Sequence, residues 1–547
     1  MYFKLSFLVL IAGLLLLTFP STAQSSNQAS KWADSVYQQL STRERIAQMI
    51  MVAAYSGTKK QNDSLIRYYI KNKQIGGVIF MQGGPVRQAR LTNEWQSSAQ
   101  VPLLIAMDAE WGLGMRLDSV KNFPKQMQLG ATQNPAFAYQ IGASIAQQCN
   151  LLGVHINFGP VVDVNNNPNN PVINLRSYGE HKEDVARFSE AYIKGLQDNG
   201  VMACAKHFPG HGDTDADSHK ELPIITKSKA SLEAVELYPF ARVIASGVQS
   251  IMVGHLQVPA LEPNEKLPAT LSPAIVSDML KKEMHFKGLV ITDALNMQGV
   301  ANYYQPGEVD LKAFQAGNDI LLFSQDPEKA INKIEVAVKE NAALAEALSN
   351  SVRKILMVKY QYGLTHLKKI DMIGLVKKLN STTDKINSAI AHQAITDVKG
   401  NAKELLKNGE HIHLIFLHKA IDSTLEKSVS QNSKIQYHSK IALAAAAKLI
   451  DTATNPIVIA INGYSPYPNN NFGLSNDEIN FLSGIQKNKN VCLAFIGNPY
   501  AIRFAPKANA LLVTYESNIY TETAFMDFLM NPIKNNSKLP ITPIGFE

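Results

Sequence analysis

Gly288-Leu289-Val290-Ile291-Thr292-Asp293-Ala294-Leu295 is a short apolar run that stops on a carboxylate. Such a run is too short for a helix, and its lack of alternation marks a strand covered on both faces, as in a parallel sheet. The pattern recurs along the chain at Met49 to Ala54, Gly77 to Met81, Leu103 to Met107, Val154 to Phe158, Val201 to Ala205, Ser250 to Gly254 and Asp319 to Phe323. Helical patterns lie between these runs. Asn134-Pro135 opens one with an N-cap and a proline at the first helical position, and Ala138, Ile141, Ile145, Cys149 and Leu152 then mark one apolar face. Ser272-Pro273 opens another, with Ile275, Met279 and Leu280 behind it, and Pro239 is expected to break a helix. Eight strands alternating with helices predict an α/β fold, a (β/α)8 barrel over residues 30–372. An open doubly wound sheet fits the same pattern, because periodicity does not encode closure.

Beyond Gly363-Leu364 the beat changes. A Lys-rich helical linker is expected over 373–400, followed by a smaller layered α/β sandwich over 401–547. Its strands are predicted at Ile412 to Leu417, Pro456 to Ile461, Val491 to Ile496 and Ala510 to Thr514. At the other end, Lys4, the apolar Leu5 to Phe19 and the small residues Ser21-Thr22-Ala23 have the anatomy of a signal peptide over 1–23. An uncleaved anchor is the alternative. The signal predicts export to the periplasm or exterior, and no later stretch offers a second membrane span.

Of the 547 residues, 46% are hydrophobic and 18% charged, which excludes wholesale disorder. The 53 basic and 46 acidic side chains leave a formal charge of +7 with no basic run, giving nucleic-acid binding little support. Cys149, Cys204 and Cys492 are odd in number and widely spaced, so neither a disulfide framework nor a zinc site is expected.

In a barrel, chemistry belongs to the C-terminal ends of the strands. After the fifth run come Lys206-His207-Phe208-Pro209-Gly210-His211-Gly212-Asp213-Thr214-Asp215-Ala216-Asp217-Ser218-His219. The density of His and Asp suggests a metal site, but the spacing does not match one. His207 and His211 lack the Glu of H-E-x-x-H, and the Asp213, Asp215, Asp217 series lacks the Gly and Glu of an EF-hand, so no metal or cofactor is expected. Asp293 ends the seventh run and Asp108 the third, while Arg116 and Arg176 follow the third and fourth. Taken alone, Asp293 serves equally as a helix cap. Together these groups suit a polyhydroxylated ligand: charged hydrogen bonds to hydroxyls, and an ionised acid near the reacting carbon. No G-x-S-x-G elbow is present, which disfavours a serine hydrolase.

The Lys-His-Phe-Pro-Gly-His-Gly-Asp-Thr run closing on Asp-Ser-His resembles glycoside hydrolase family 3, in its β-N-acetylglucosaminidase branch. Ile-Thr-Asp-Ala-Leu at the seventh strand, Arg-Ser-Tyr-Gly after the fourth and the closing Lys538-Leu539-Pro540-Ile541-Thr542 agree with its two-domain members. The resemblance implies a retaining exo-glycosidase acting on β-linked N-acetylglucosamine at the ends of peptidoglycan-derived or chitin-type oligosaccharides. It further implies Asp293 as nucleophile, His219 as acid/base with Asp217 as its partner, and Asp108, Arg116, Arg176, Lys206 and His207 as sugar-holding residues. Asp108-Ala109-Glu110-Trp111-Gly112-Leu113 departs from the family's usual Asp-Gln-Glu-Gly-Gly-Arg, so the pocket rim is expected to differ. A family 3 β-glucosidase or β-xylosidase is the nearer alternative and a non-catalytic sugar-binding protein the more distant one.

Overall fold

The computed structural model describes residues 22–57, 62–214, 222–264, 267–407, 411–439, 441–532 and 535–546. The apolar leader expected at the N terminus, up to residue 21, lies outside them. Among the described residues no helix is long and apolar enough to cross a membrane.

Eight parallel strands form the first sheet: β1 (Ile50–Ser56), β2 (Gly77–Gly83), β3 (Leu104–Met107), β4 (Ile156–Asn157), β5 (Met202–Phe208), β6 (Ser250–Val253), β7 (Leu289–Thr292) and β8 (Leu321–Leu322). Each neighbours the next in sequence, and β1 pairs with β8. The ring closes where Ile291 bridges Ile320, with Thr292 N donating to Ile320 O and Leu295 N to Leu322 O. The barrel expectation therefore holds and the open sheet falls. Closure was invisible in the sequence because its decisive hydrogen bonds are backbone groups far apart in the chain. All residues of β3 to β8 are buried, which is why their sequences are apolar rather than alternating.

Local signals act as expected. Asn134 accepts a hydrogen bond from Ala136 N ahead of the helix Pro135–Leu151, and Ala138, Ile141, Ile145 and Cys149 are buried. Pro239 lies inside Leu237–Ala245, and the break falls at Val235, the residue whose carbonyl its ring would strike four positions back.

The second sheet has the order β11-β10-β12-β13-β14-β9, from β9 (Thr396–Asp397), β10 (Ile412–His418), β11 (Ile435–His438), β12 (Ile457–Asn462), β13 (Val491–Ile496) and β14 (Ala510–Val513). All pairs are parallel except β14 with β9. Two of these strands are not evident in the sequence. β11 is an edge strand with a broken apolar pattern, and β9, inside the stretch expected as linker, is too short to have a pattern. The side-chain period of two gives the sheet two apolar faces. Ile415, Ile459, Leu493 and Val513 line one, and Leu414, Val458, Ala494 and Leu512 line the other. The first face shares its core with Met127, Ala131 and Leu175 of the barrel, so the two sheets are joined through apolar packing.

Candidate active site

The C-terminal mouth of the barrel holds a cleft of about 610 Å³. Asp108 and Glu110, just after β3, Arg176 in the turn after β4, Lys206 and His207 on β5, and Asp293 just after β7 all line it, as does Arg116. The five residues expected to hold a sugar and the expected nucleophile are thus brought together. Asp217 and His219 fall in residues 215–221, outside the described residues.

The charged groups form one connected network. Arg116 Nη2 donates to Asp108 Oδ2 at 2.7 Å, and Lys206 Nζ to Asp108 Oδ1 at 2.8 Å. The same ammonium lies 2.9 Å from Glu110 Oε1. Glu110 also takes a two-pronged bond from Arg176, Nε to Oε2 at 2.9 Å and Nη2 to Oε1 at 2.8 Å. Burial works against ionising Asp108 and Glu110, yet Lys206 with Arg116, and Arg176 with Lys206, outweigh it. Both carboxyls are held below the ordinary carboxylate range.

Lys206 and His207 are consecutive, and on a regular strand they would face opposite ways. Between Ala205 and Phe208 the register of β5 against β6 slips by one residue, a bulge that lets both reach the cleft. His207 is fixed from behind: its Nδ1 lies 2.7 Å from Asp163 Oδ2, so the ring proton sits on Nδ1. Its Nε2 faces Arg176 Nη2 at 3.4 Å. Asp163 is fully buried and also accepts from His211 N at 2.7 Å. Burial disfavours its charge, but His207 foremost holds its pKa below the usual value. Asp163 is a site residue that the motifs did not reveal. Its signal is present in Val161-Val162-Asp163-Val164, a lone acid in an apolar run, the same cue that exposes Asp108 and Asp293.

The motif residues between these groups are architectural. An ideal Cβ on Gly212 would sit 1.7 Å from the Val164 carbonyl oxygen, and Gly210 adopts a φ of +129° against the Glu236 side chain. Asp213 is held by Lys227 at 2.9 Å. His211 is buried, with Nδ1 2.9 Å from Thr214 Oγ1, and burial and then His207 push its pKa down to about 4.

Asp293 is anchored by its own backbone, whose N–H donates to Val253 O at 2.9 Å, while Ala294 N donates to Asp293 Oδ1 at 2.7 Å. Burial opposes its charge, but His255, His207, the Ala294 N–H and Lys206 keep the carboxyl ionised. A rigid, ionised carboxylate with one oxygen engaged by backbone leaves the other for attack on carbon. Asp293 is not the cap of the following helix: the turn Gln298–Ala301 starts several residues later, behind Met297.

The profile of the glycosyl hydrolase family 3 N-terminal domain matches residues 41–358. The chain belongs to glycosyl hydrolase family 3. It is 30% identical to β-hexosaminidase A of Pseudoalteromonas piscicida, over 86% of this chain and 90% of that protein. β-Hexosaminidase of Nitrosomonas eutropha is 34% identical over 48% of this chain and 78% of its own. A protein of Cellulomonas fimi named β-N-acetylglucosaminidase/β-glucosidase is 27% identical over 61% of this chain and 60% of its own. The solved family 3 β-N-acetylglucosaminidase of Paenibacillus sp. str. FPU-7 superposes with a TM-score of 0.73 at 27% identity, covering 92% of this chain and 99% of that one. This family 3 enzyme is a glycoside hydrolase, and its substrate is a carbohydrate.

Proposed function

We propose that this hydrolase is an exported, retaining exo-β-N-acetylhexosaminidase that removes terminal β-linked N-acetylglucosamine from peptidoglycan-derived or chitin-type oligosaccharides. The observation that carries the reading is the ionised Asp293 facing the same cleft as the Asp108, Glu110, Arg176 and Lys206 network. The names of its relatives support the N-acetylglucosamine preference, and the leader-like N terminus supports export.

In this mechanism Asp108, Arg116, Lys206, Arg176 and His207 hold the hydroxyls of the terminal sugar. Asp293 attacks the anomeric carbon as the glycosidic C–O bond breaks, and the departing oxygen takes a proton from His219, which Asp217 orients. His219 then accepts a proton from water, the hydroxide displaces Asp293, and the sugar leaves with its configuration retained. An imidazole with an unperturbed pKa near 6.5 can perform both transfers around neutral pH.

The test is a hydrolysis screen of p-nitrophenyl β-GlcNAc, β-Glc and β-Xyl, with β-GlcNAc expected to be preferred. The dual name of the Cellulomonas fimi relative favours β-glucoside cleavage as the second reading, and a glucoside preference would establish it. Asp293→Ala should lose at least about a thousandfold in kcat, roughly 4 kcal/mol of barrier. His219→Ala should cost far more on sugar-linked substrates than on dinitrophenyl β-GlcNAc, whose leaving group needs no proton. Equal losses on both would remove His219 from the acid role.

A further inference from the structure

The helix Ala342–Gln361 ends on the face of the barrel opposite the mouth: Lys354 Nζ donates to Gly288 O, just before β7, and Lys359 Nζ reaches Gln48, just before β1. The chain that leaves this helix crosses that face and is pinned at one point. Asn93 Nδ2 donates to Ile370 O at 3.1 Å, and Ile370 N donates to Asn93 Oδ1 at 2.7 Å. Ile370 packs against the barrel core, with its Cδ1 3.2 Å from where a Cβ on Gly153 would stand. On either side of this anchor the apolar side chains turn outward. Leu367 is 41% exposed, Met372 39% and Ile373 82%, more than any other large hydrophobic side chain among the described residues.

Cations flank these side chains. Of the acids beside them, Asp371 is taken by Lys378 at 2.9 Å and Glu94 by Arg67. Lys368, Lys369 and Arg90 are left without a carboxylate partner among the described residues. All three line a pocket of about 600 Å³ between this segment, the helix Pro85–Ser98 and the start of β4. Leu367 and Met372 stand at its lip, and the buried His155 lies at its base. His155 Nδ1 accepts from Ile105 N at 3.0 Å, so the ring proton sits on Nε2, and burial and then Lys359 push its pKa down to about 4. Cations and an N–H donor thus meet an apolar lip, which is the chemistry of a phosphate that carries acyl chains.

The N-terminal helix starts at the same face. Thr22–Gln39 runs antiparallel to Ala342–Gln361, with Tyr360 OH donating to Gln28 Oε1 at 3.3 Å and Arg353 paired with Asp34. The apolar Leu5 to Phe19 stand just ahead of it in the sequence.

We propose that the face of the barrel opposite the mouth docks on an anionic phospholipid surface: Leu367, Met372 and Ile373 enter the boundary between headgroups and acyl chains, while Lys368, Lys369 and Arg90 hold lipid phosphates. Apolar insertion and attraction to anionic lipid reinforce one another, and stable attachment takes more than one such signal. Because the cleft opens on the far side, the docked enzyme keeps its mouth toward solvent, whatever sugar it takes.

The test floats the full chain with vesicles of phosphatidylcholine alone, or with about one third phosphatidylglycerol to give a negative surface potential. Wild type should bind the phosphatidylglycerol vesicles at least about tenfold better and lose that preference as salt is raised. Ile373→Ser should lower binding about tenfold, and Lys368→Ala with Lys369→Ala about twentyfold. These side chains are exposed, so the variants should melt with wild type and keep its kcat and KM on its preferred aryl glycoside. Equal binding to both vesicles would overturn the proposal. Variants that bind as wild type does would also overturn it, by assigning attachment to the N-terminal apolar segment. Calorimetry with inorganic phosphate separates a free anion from a headgroup: saturable binding that the lysine variant removes, without vesicle binding, would overturn the lipid.

Discussion

Glu110 shows how much one side chain contributes to the site. It is the shared partner of Arg176 and Lys206, and neither cation has a second buried carboxylate to replace it fully, since Asp108 already serves Lys206 and Arg116. Removing one member of a buried ionic cluster leaves the others uncompensated, at a cost of roughly 3–5 kcal/mol. Glu110→Gln should lower the melting temperature at neutral pH and raise KM for the terminal sugar. The pH dependence has a definite sign. The folded pKa of Glu110 lies below its ordinary 4.5, so its stabilisation is complete above that pH and is lost as acidification approaches the folded value. Thermal melts from pH 6 to pH 3 should therefore show the gap between wild type and Glu110→Gln narrowing below about pH 4.5. A gap that stays constant to pH 3 would mean that the charge of Glu110 does not stabilise the fold.

At the scale of the element, the helix Ala342–Gln361 buries Lys359 completely. Its ammonium reaches Gln48 Oε1 at 2.6 Å, at the end of the helix Thr42–Gln48 that leads into β1. Burial pulls its pKa down to about 7 from 10.5. Here the folded state favours the neutral amine, whereas the unfolded chain stays protonated up to about pH 10.5. Stability should thus rise as pH climbs from about 7 toward 10 and be lowest below 7. Lys359→Met is expected to weaken that rise and to melt higher than wild type at pH 6. Scanning calorimetry at pH 6 and pH 9 tests both. The same scale explains the bulge in β5. The chain around Lys206-His207 reads as the end of a strand, and only pairing with β6 shows that the strand continues and delivers both residues to one cleft.

At the scale of the molecule, the described charged groups of the cleft belong to the barrel, while the second domain supplies Pro466 and Tyr467 to its rim. Cutting the chain after Leu364 would uncover Met127, Ala131 and Leu175 and remove the Pro540 carbonyl that accepts from Glu180 N at 3.1 Å. Such a truncation should melt lower and lose efficiency on oligosaccharides, yet keep measurable turnover of activated aryl glycosides if it stays soluble. A folded, soluble barrel with no turnover at all would place a reacting group in the second domain.

The amino-acid sequence by itself determined the strand count of the barrel, the caps, the helix break near Pro239 and the six cleft residues from Asp108 to Asp293 that the structure describes. These are local facts: burial on both faces demands apolar runs, and strand ends in a barrel converge on one mouth. It did not determine the closure at Ile291 and Ile320, the edge strands β9 and β11, the backing of His207 by Asp163, or the hydrogen bond from Asn498 Nδ2 to Asn174 Oδ1. Each of those depends on backbone or polar side-chain groups that carry no periodic pattern of their own. Only the tertiary structure could bring residue 498 beside residue 174, because a hydrogen bond between them is specified by the packing of two sheets and by nothing in the residues near either one.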